Sequence, residues 1–115
     1  MITVYGIPNC DTCRAARKWL EERAIRHRFH DIRVDGLELQ TIHGWAAELG
    51  WKKLLNTRSQ TWRKIAQAER EAIDEGRALT LMFEQPTLIK RPVLNDGKKI
   101  HLGFSPERYE ALFGQ

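Results

Sequence analysis

Apolar and polar positions along the chain change their spacing several times, and each change predicts a different element. Ile2 to Tyr5 is short, β-branched and aromatic, as in a strand. From Asp11 to about Arg23 the apolar positions recur at the period of a helix. The residues on its inward face are Cys13, Ala16 and Leu20. His27 to Arg33 is predicted as a second strand, after which Asp35-Gly36 closes a β-α-β unit.

The middle of the chain is predicted to be helical. A first amphipathic face ends at Gly50, and its apolar residues are Ile42, Trp45, Ala46 and Leu49. A single turn around Leu54-Leu55 and a polar loop over residues 56–59 follow it. A second face runs from Trp62 toward Ile73, with Gly76 as its stop. A third and shorter face ends near Pro86 and contains Leu79, Met82 and Phe83.

The last part of the chain returns to strand patterns. Arg91 to Leu94 predicts one strand and Lys99 to Leu102 the next, and Asn95-Asp96-Gly97 between them is a strong hairpin turn signal. Ser105 followed by Pro106 is a typical helix start, with a hydroxyl cap and proline in the first turn. The predicted buried side of this last helix consists of Tyr109, Leu112 and Phe113.

The order of these elements is β-α-β, then a helical block, then a β-hairpin and a helix. Parallel pairing early and an antiparallel hairpin late predict an α/β fold with a mixed four-stranded sheet. This is the order of a thioredoxin-like fold with a helical insertion between its β-α-β half and its β-hairpin-α half. We predict a single thioredoxin-like domain over residues 1–115, with the insertion at about residues 38–85.

Composition and charge narrow the function classes. A chain of 115 residues that is 42% hydrophobic can bury one core without disulfide staples. The first strand begins at Ile2, so no signal peptide is expected, and no apolar run approaches the roughly 20 residues of a membrane span. The net charge of +4 is spread along the chain without a nucleic-acid-binding motif, which favours an anionic thiol such as glutathione over nucleic acid as a partner. The expected compartment is the cytoplasm.

Cys10 and Cys13, the two cysteines, have C-x-x-C spacing and lie where the first predicted loop meets the first predicted helix. The unpaired N–H groups and the positive dipole end of a helix N-terminus favour a thiolate at Cys10. Cys13 follows one turn later, close enough to form a disulfide with Cys10. In the cytoplasm such a pair is typical of redox catalysis or sensing.

Two other interpretations of the cysteine pair stay open at this point. One is a pair of inert buried thiols, and the other is half of a zinc site. Zinc would need two further ligands from the histidines, and none of these has zinc-finger spacing, so no metal is expected. The histidines are His27, His30, His43 and His101.

Four segments of the chain carry a resemblance to a known family. They are Tyr5-Gly6-Ile7-Pro8-Asn9-Cys10, Leu55-Asn56-Thr57-Arg58, Ile89-Lys90-Arg91-Pro92-Val93 and Gly103-Phe104-Ser105. On these the chain resembles the ArsC/Spx-type arsenate reductase family over essentially its whole length, and is most similar to the YffB-like members. The resemblance implies that Cys10 is the nucleophile, that Arg91 contacts an anion bound at that cysteine, and that the peptide bond before Pro92 is cis.

Several positions depart from the arsenate reductase pattern of the family. Cys13 stands where those enzymes have no cysteine, and Gly6 stands where they carry a histidine near the nucleophile. A second active-site arginine aligns with Asn56, two residues before Arg58. A third arginine has no equivalent in residues 101–105. These departures argue against arsenate reduction as the main activity.

The prediction from sequence is a cytoplasmic thiol–disulfide oxidoreductase that uses the C-x-x-C pair and depends on glutathione. Cys10 and Cys13 are the predicted catalytic residues, and the predicted substrate- or glutathione-binding residues are Arg91, Arg58, Pro92 and Asn9. Glutathione is expected as a co-substrate without a tightly bound cofactor, and the substrate is a small or protein disulfide. Two alternatives are a redox-switched regulator that binds a protein partner such as RNA polymerase, as regulators of the family do, and an arsenate reductase.

Overall fold

The computed structural model describes residues 1–114 as two compact units. The sheet unit consists of residues 1–35 together with the chain from Arg91 onward, and the helical unit consists of residues 36–90. The sheet unit contains β1 (Ile2–Gly6), α1 (Asp11–Glu22) and β2 (His27–Asp31) from its first segment. Its second segment supplies two further strands and the last helix.

The helical unit contains five α-helices and one short 3₁₀ turn among the described residues. They are α2 (Leu39–Leu49), α3 (Trp51–Leu54), α4 (Gln60–Arg63), α5 (Gln67–Glu71), α6 (Glu75–Glu84) and the 3₁₀ turn Pro86–Leu88. In the sheet unit the remaining elements are β3 (Val93–Asn95), β4 (Ile100–Leu102) and α7 (Pro106–Phe113).

The four strands of the sheet unit form one mixed sheet in the order β2-β1-β3-β4. The central strand β1 is parallel to β2, with Val4 opposite Phe29, and antiparallel to β3, with Val4 opposite Leu94. β3 and β4 form the predicted antiparallel hairpin, and Gly97 in its turn has a φ of +95°, which favours glycine. The predicted α/β fold with a mixed four-stranded sheet is confirmed.

The core of the sheet unit packs α1 and α7 against β1 and β3. Its buried members are Val4, Ala16, Trp19, Leu20, Leu94 and Tyr109. Trp19 and Tyr109 meet edge to face, with ring centroids 5.6 Å apart. Leu112 was predicted to be buried on α7 but is 39% exposed. Phe113 is the residue that packs against the core instead, meeting Tyr109 edge to face with ring centroids 5.9 Å apart.

Three strands of the sheet unit are shorter than their sequence patterns predict, and for β4 the difference is only that it begins at Ile100 instead of Lys99. β2 ends at Asp31, because the Asp31 carboxylate accepts hydrogen bonds from the N–H groups of Arg33 (2.9 Å) and Val34 (3.3 Å) and turns the chain. β3 begins only at Val93, after a cis Arg91–Pro92 peptide bond, as the family resemblance implied. Proline has no N–H group to donate to the sheet.

The helical unit corrects the prediction of one helical face from Trp62 toward Ile73. The segment forms two short helices, α4 and α5, because the backbone at Ala66 between them has a ψ of 139°, which is outside the helical range. Gly76 does not stop a helix but lies in the first turn of α6. The Asp74 carboxylate caps α6 by accepting a hydrogen bond from the Arg77 N–H at 2.9 Å. Within residues 1–114, no helix has the length and apolar character to cross a membrane.

Candidate active site

The C-x-x-C pair lies where the loop after β1 enters α1. Cys10 is the N-cap residue of α1, with an extended backbone, and its carbonyl accepts the first helical hydrogen bond from Arg14 at 2.9 Å. Cys10 is partly exposed, Cys13 is completely buried, and both are free thiols. The helix therefore presents one sulfur to solvent and holds the other inside, as the inward position of Cys13 predicted.

The pKa of Cys10 is lower than its ordinary value. Burial raises the pKa, but the backbone N–H and the thiol of Cys13, the N–H of Thr12 and the charge of Arg91 together outweigh that effect. The Cys10 side chain lies at the N-cap of α1, next to N–H groups that have no helical partner. The N–H groups at the helix start thus stabilise the negative sulfur selectively, which is the property of a reactive cysteine.

The pKa of Cys13 moves in the opposite direction, to about 12. The largest cause is burial, and the hydrogen bond to Cys10 and the charge of Cys10 raise the pKa further. The backbone N–H of Ile7 and the charge of Arg91 act against this shift but do not overcome it. Two cysteines one helical turn apart are thereby divided into a readily ionised sulfur and a protonated one.

Arg91 and Pro92 lie directly before β3, in the same unit as the cysteines. Arg91 is partly buried and acts electrostatically on both sulfurs. Pro92 is buried, and its carbonyl accepts a hydrogen bond from the Gly103 N–H at 2.8 Å. The fold thus brings Arg91 into the neighbourhood of Cys10 and Cys13, although the chain between them includes the whole helical unit.

Asn9, the residue before Cys10, is exposed beside a shallow cavity of about 360 Å³. The cavity is lined by the nucleophile loop and by the turn after β2, through Ile7, Pro8, Asn9, Asp31, Arg33 and Val34. Its place next to the Cys10 loop is suitable for part of a substrate, and a binding role for Asn9 remains a prediction.

Arg58 lies in the helical unit and is exposed. Its backbone N–H donates to the Asn56 side-chain oxygen at 3.1 Å, which shapes the polar loop before α4. A role for Arg58 in binding an anion at Cys10 remains a prediction.

Arg14, next to Cys13, points to solvent and pairs with Asp11 on the exposed surface of α1. This pairing makes Arg14 an exposed surface residue, and the site residues overlooked by sequence reasoning lie elsewhere. The residues that it missed are Thr12 and Ile7, whose backbone N–H groups stabilise the ionised sulfurs. The contribution of Thr12 was implicit in the predicted helix start, because such N–H groups have no helical partner. Ile7 lies in the loop before the helix, and no local signal indicated its contribution.

Tyr109 also escaped the sequence analysis as a neighbour of the cysteines. Its ring is 1% exposed, its hydroxyl has no hydrogen-bond partner among residues 1–114, and its pKa is raised by burial and further by the charge of Cys13. No local signal connects α7 with the C-x-x-C pair. Within residues 1–114 no group of three or more metal-binding side chains is found.

Comparison with known proteins places the chain in a family. Residues 5–112 match the model of the ArsC family. The chain belongs to the ArsC family. It is 32% identical over 115 residues to the global transcriptional regulator Spx of Streptococcus pneumoniae, and the match covers 97% of this chain and 85% of Spx.

Two solved structures show the same architecture. The YFFB protein superposes with a TM-score of 0.92 at 40% identity, with 96% of this chain and 97% of that chain covered. An arsenate reductase (ArsC) related protein from Brucella melitensis has a TM-score of 0.80 at 41% identity, with 99% and 95% covered. The predicted ArsC/Spx-type family and its thioredoxin-like fold are confirmed.

Proposed function

We propose that this ArsC family member is a thiol–disulfide oxidoreductase that uses glutathione as its reductant. The observation that carries the proposal is a pair of free thiols one turn apart at the start of α1, with Cys10 partly exposed and Cys13 completely buried. The pKa is lowered for Cys10 and raised for Cys13 in keeping with these positions. A partly exposed sulfur with a lowered pKa is suited to attack a disulfide. A buried, protonated neighbour is suited to act second.

In the first step the Cys10 thiolate attacks one sulfur of a substrate disulfide. The substrate S–S bond breaks, a mixed disulfide forms between Cys10 and the substrate, and the other substrate sulfur leaves as a thiolate that takes a proton from solvent. Bonding removes the negative charge of Cys10, which is one cause of the raised pKa of Cys13. The pKa of Cys13 therefore falls after the first step, when its thiolate is needed.

In the second step Cys13 loses its proton and attacks the Cys10 sulfur. The mixed disulfide breaks, the second substrate thiol is released, and a Cys10–Cys13 disulfide forms. Two glutathione thiols then reduce this bond in two exchanges, which yields oxidised glutathione and restores both cysteines. Direct attack of glutathione on the mixed disulfide is an alternative that bypasses Cys13.

Arg91 is proposed to bind a carboxylate of glutathione next to Cys10. Its charge already acts on the Cys10 sulfur, so an anion held by Arg91 lies near the reacting atoms. A guanidinium can donate two parallel hydrogen bonds to a carboxylate. Pro92 shapes the adjoining wall, and Asn9 and Arg58 are proposed as further contacts. The cytoplasm, where glutathione is abundant and thiols stay reduced, is the proposed compartment.

A turnover assay tests the proposal. The protein is incubated with reduced glutathione and hydroxyethyl disulfide, and formation of oxidised glutathione is followed, with arsenate as substrate in a parallel reaction. We expect turnover of the disulfide that is lost in Cys10→Ser. Turnover of arsenate at a comparable rate would identify an arsenate reductase instead.

A second candidate function is a redox-switched regulator that binds a protein partner such as RNA polymerase. The 32% identity to a global transcriptional regulator, Spx, favours it. Here the same cysteines act as a sensor. If the protein is such a regulator, we expect little turnover of glutathione. We also expect that only one redox form of the protein retains RNA polymerase from a cell extract.

A further inference from the structure

Gly6, the last residue of β1, lies directly against the buried sulfur of the C-x-x-C pair. An ideal Cβ atom built on Gly6 would be 2.5 Å from the Cys13 Sγ, closer than real Cβ atoms approach. The same Cβ would be 3.4 Å from the Cys13 Cβ and 3.6 Å from the Phe29 Cε1, which are ordinary contacts. The only obstacle to a side chain at position 6 among these neighbours is therefore one sulfur atom.

The backbone of Gly6 does not itself require glycine. Its φ lies outside the left-handed region, and strand β1 pairs regularly through Gly6 with Asp31 of β2. An alanine could adopt this conformation without strain. The absence of a side chain at position 6 is thus explained by the neighbouring sulfur and not by the strand.

The position of the Cys13 sulfur also determines its interaction with Cys10. Cys13 Sγ fills the space left by Gly6 and at the same time forms a hydrogen bond with the Cys10 side chain. A sulfur that had to move away from a new Cβ would change its distance and angle to Cys10. Hydrogen bonds of sulfur, like others, weaken steeply with poor geometry.

We propose that Gly6 is a positioning residue, which keeps the Cys13 sulfur where it can donate a hydrogen bond to the Cys10 thiolate. This role deepens the proposed oxidoreductase function and rests on it. Its measurement requires no turnover, so a failure of the positioning role is distinguishable from a failure of the enzymatic one.

The experiment is a double-mutant cycle on the ionisation of Cys10. The pKa of Cys10 is measured from the pH dependence of its alkylation by iodoacetamide, with the modified peptide identified by mass, in the native chain, Gly6→Ala, Cys13→Ala and the double variant. We expect Gly6→Ala to raise the pKa by about 1, a tenfold fall in the acidity constant, because a hydrogen bond to a charged group is weakened. In the Cys13→Ala background, where the sulfur is absent, Gly6→Ala should change nothing further.

Gly44→Ala is the matched control, because a Cβ at Gly44 meets nothing within 4 Å. It should leave the Cys10 pKa unchanged. If Gly6→Ala also leaves it unchanged, or raises it equally in the Cys13→Ala background, the proposal is overturned. Folding gives a second criterion. If Gly6→Ala folds poorly and the double variant folds normally, the steric argument is supported. If the double variant also fails to fold, the argument is overturned.

Discussion

Replacement of Cys10 by serine isolates the buried thiol of Cys13 and tests how the two sulfurs divide the chemistry. Burial is the main reason why the Cys13 pKa lies at about 12 instead of 9.0, and burial persists in this variant. The negative charge of Cys10, a smaller cause, disappears. We therefore expect the Cys13 pKa in Cys10→Ser to lie below about 12 but well above 9.0.

The expected rate follows from two opposing effects of pKa. At pH 7 a thiol with a pKa of about 12 contains about a thousandfold less thiolate than one with a pKa of 9.0. A more basic thiolate is also the stronger nucleophile, with a Brønsted slope of about 0.4–0.5, which offsets roughly 15- to 30-fold of this loss. Ionisation alone thus slows alkylation by up to about 30- to 60-fold. The complete burial of Cys13 slows it further, because the reagent cannot reach the sulfur.

The assay compares iodoacetamide labelling at pH 7 of folded Cys10→Ser, of the same variant unfolded in denaturant, and of folded Cys13→Ser. The unfolded chain supplies an ordinary thiol as the reference. We expect folded Cys10→Ser to label at least tenfold more slowly than its unfolded form, and folded Cys13→Ser to label fastest of the three. Equal rates for Cys13 in the folded and unfolded chain would refute the reasoning.

Three further predictions concern other parts of the sheet unit. Arg91→Ala should raise the KM for glutathione roughly 10- to 150-fold in steady-state kinetics, with an unchanged melting temperature. Arg91→Lys should recover only part of this loss, because an ammonium group cannot present two parallel donors to a carboxylate. Ala24→Gly should stabilise the fold by about 1 kcal/mol in urea denaturation, because Ala24 has a φ of +55°. The backbone N–H of Lys99 and the ring of His101 form hydrogen bonds with the Asp96 carboxylate and lower its pKa from 3.8 to about 2. The ionised Asp96 therefore stabilises the folded state above pH 4, and this stabilisation is lost as the pH falls toward 2. Asp96→Asn should be less stable at pH 7, and the difference should shrink over that range; a constant difference would contradict it.

The fold was predictable from sequence where local signals agreed. The elements β1, the β3–β4 hairpin and α7 all form as predicted. Their signals were the strand residues before the C-x-x-C pair, the turn around Gly97 and the Ser105 cap. The prediction was wrong where two local signals compete. Gly76 was interpreted as a helix stop, but Asp74 two residues earlier supplies a stronger helix start.

The candidate site was only partly predictable for a different reason. The chemistry of Cys10 follows from its place at a helix start, which is a local property. The raised pKa of Cys13 depends on burial, and the interaction of Tyr109 with Cys13 depends on how α7 packs. No sequence pattern near Cys13 encodes either of these. Arg91 was associated with Cys10 only through the family resemblance, because roughly 80 residues of chain separate them.

That separation also sets the order in which the protein can be completed during translation. β1 is the central strand, yet its partner β3 and Arg91 are synthesised after the entire helical unit. At about 5–20 residues per second, Arg91 follows Cys10 from the ribosome by roughly 4–16 s. Until then neither the charge of Arg91 nor the packing of α7 acts on the cysteines. In a nascent chain only the local helix start favours the Cys10 thiolate. The rest of the division into a reactive and a protected sulfur is acquired when synthesis ends.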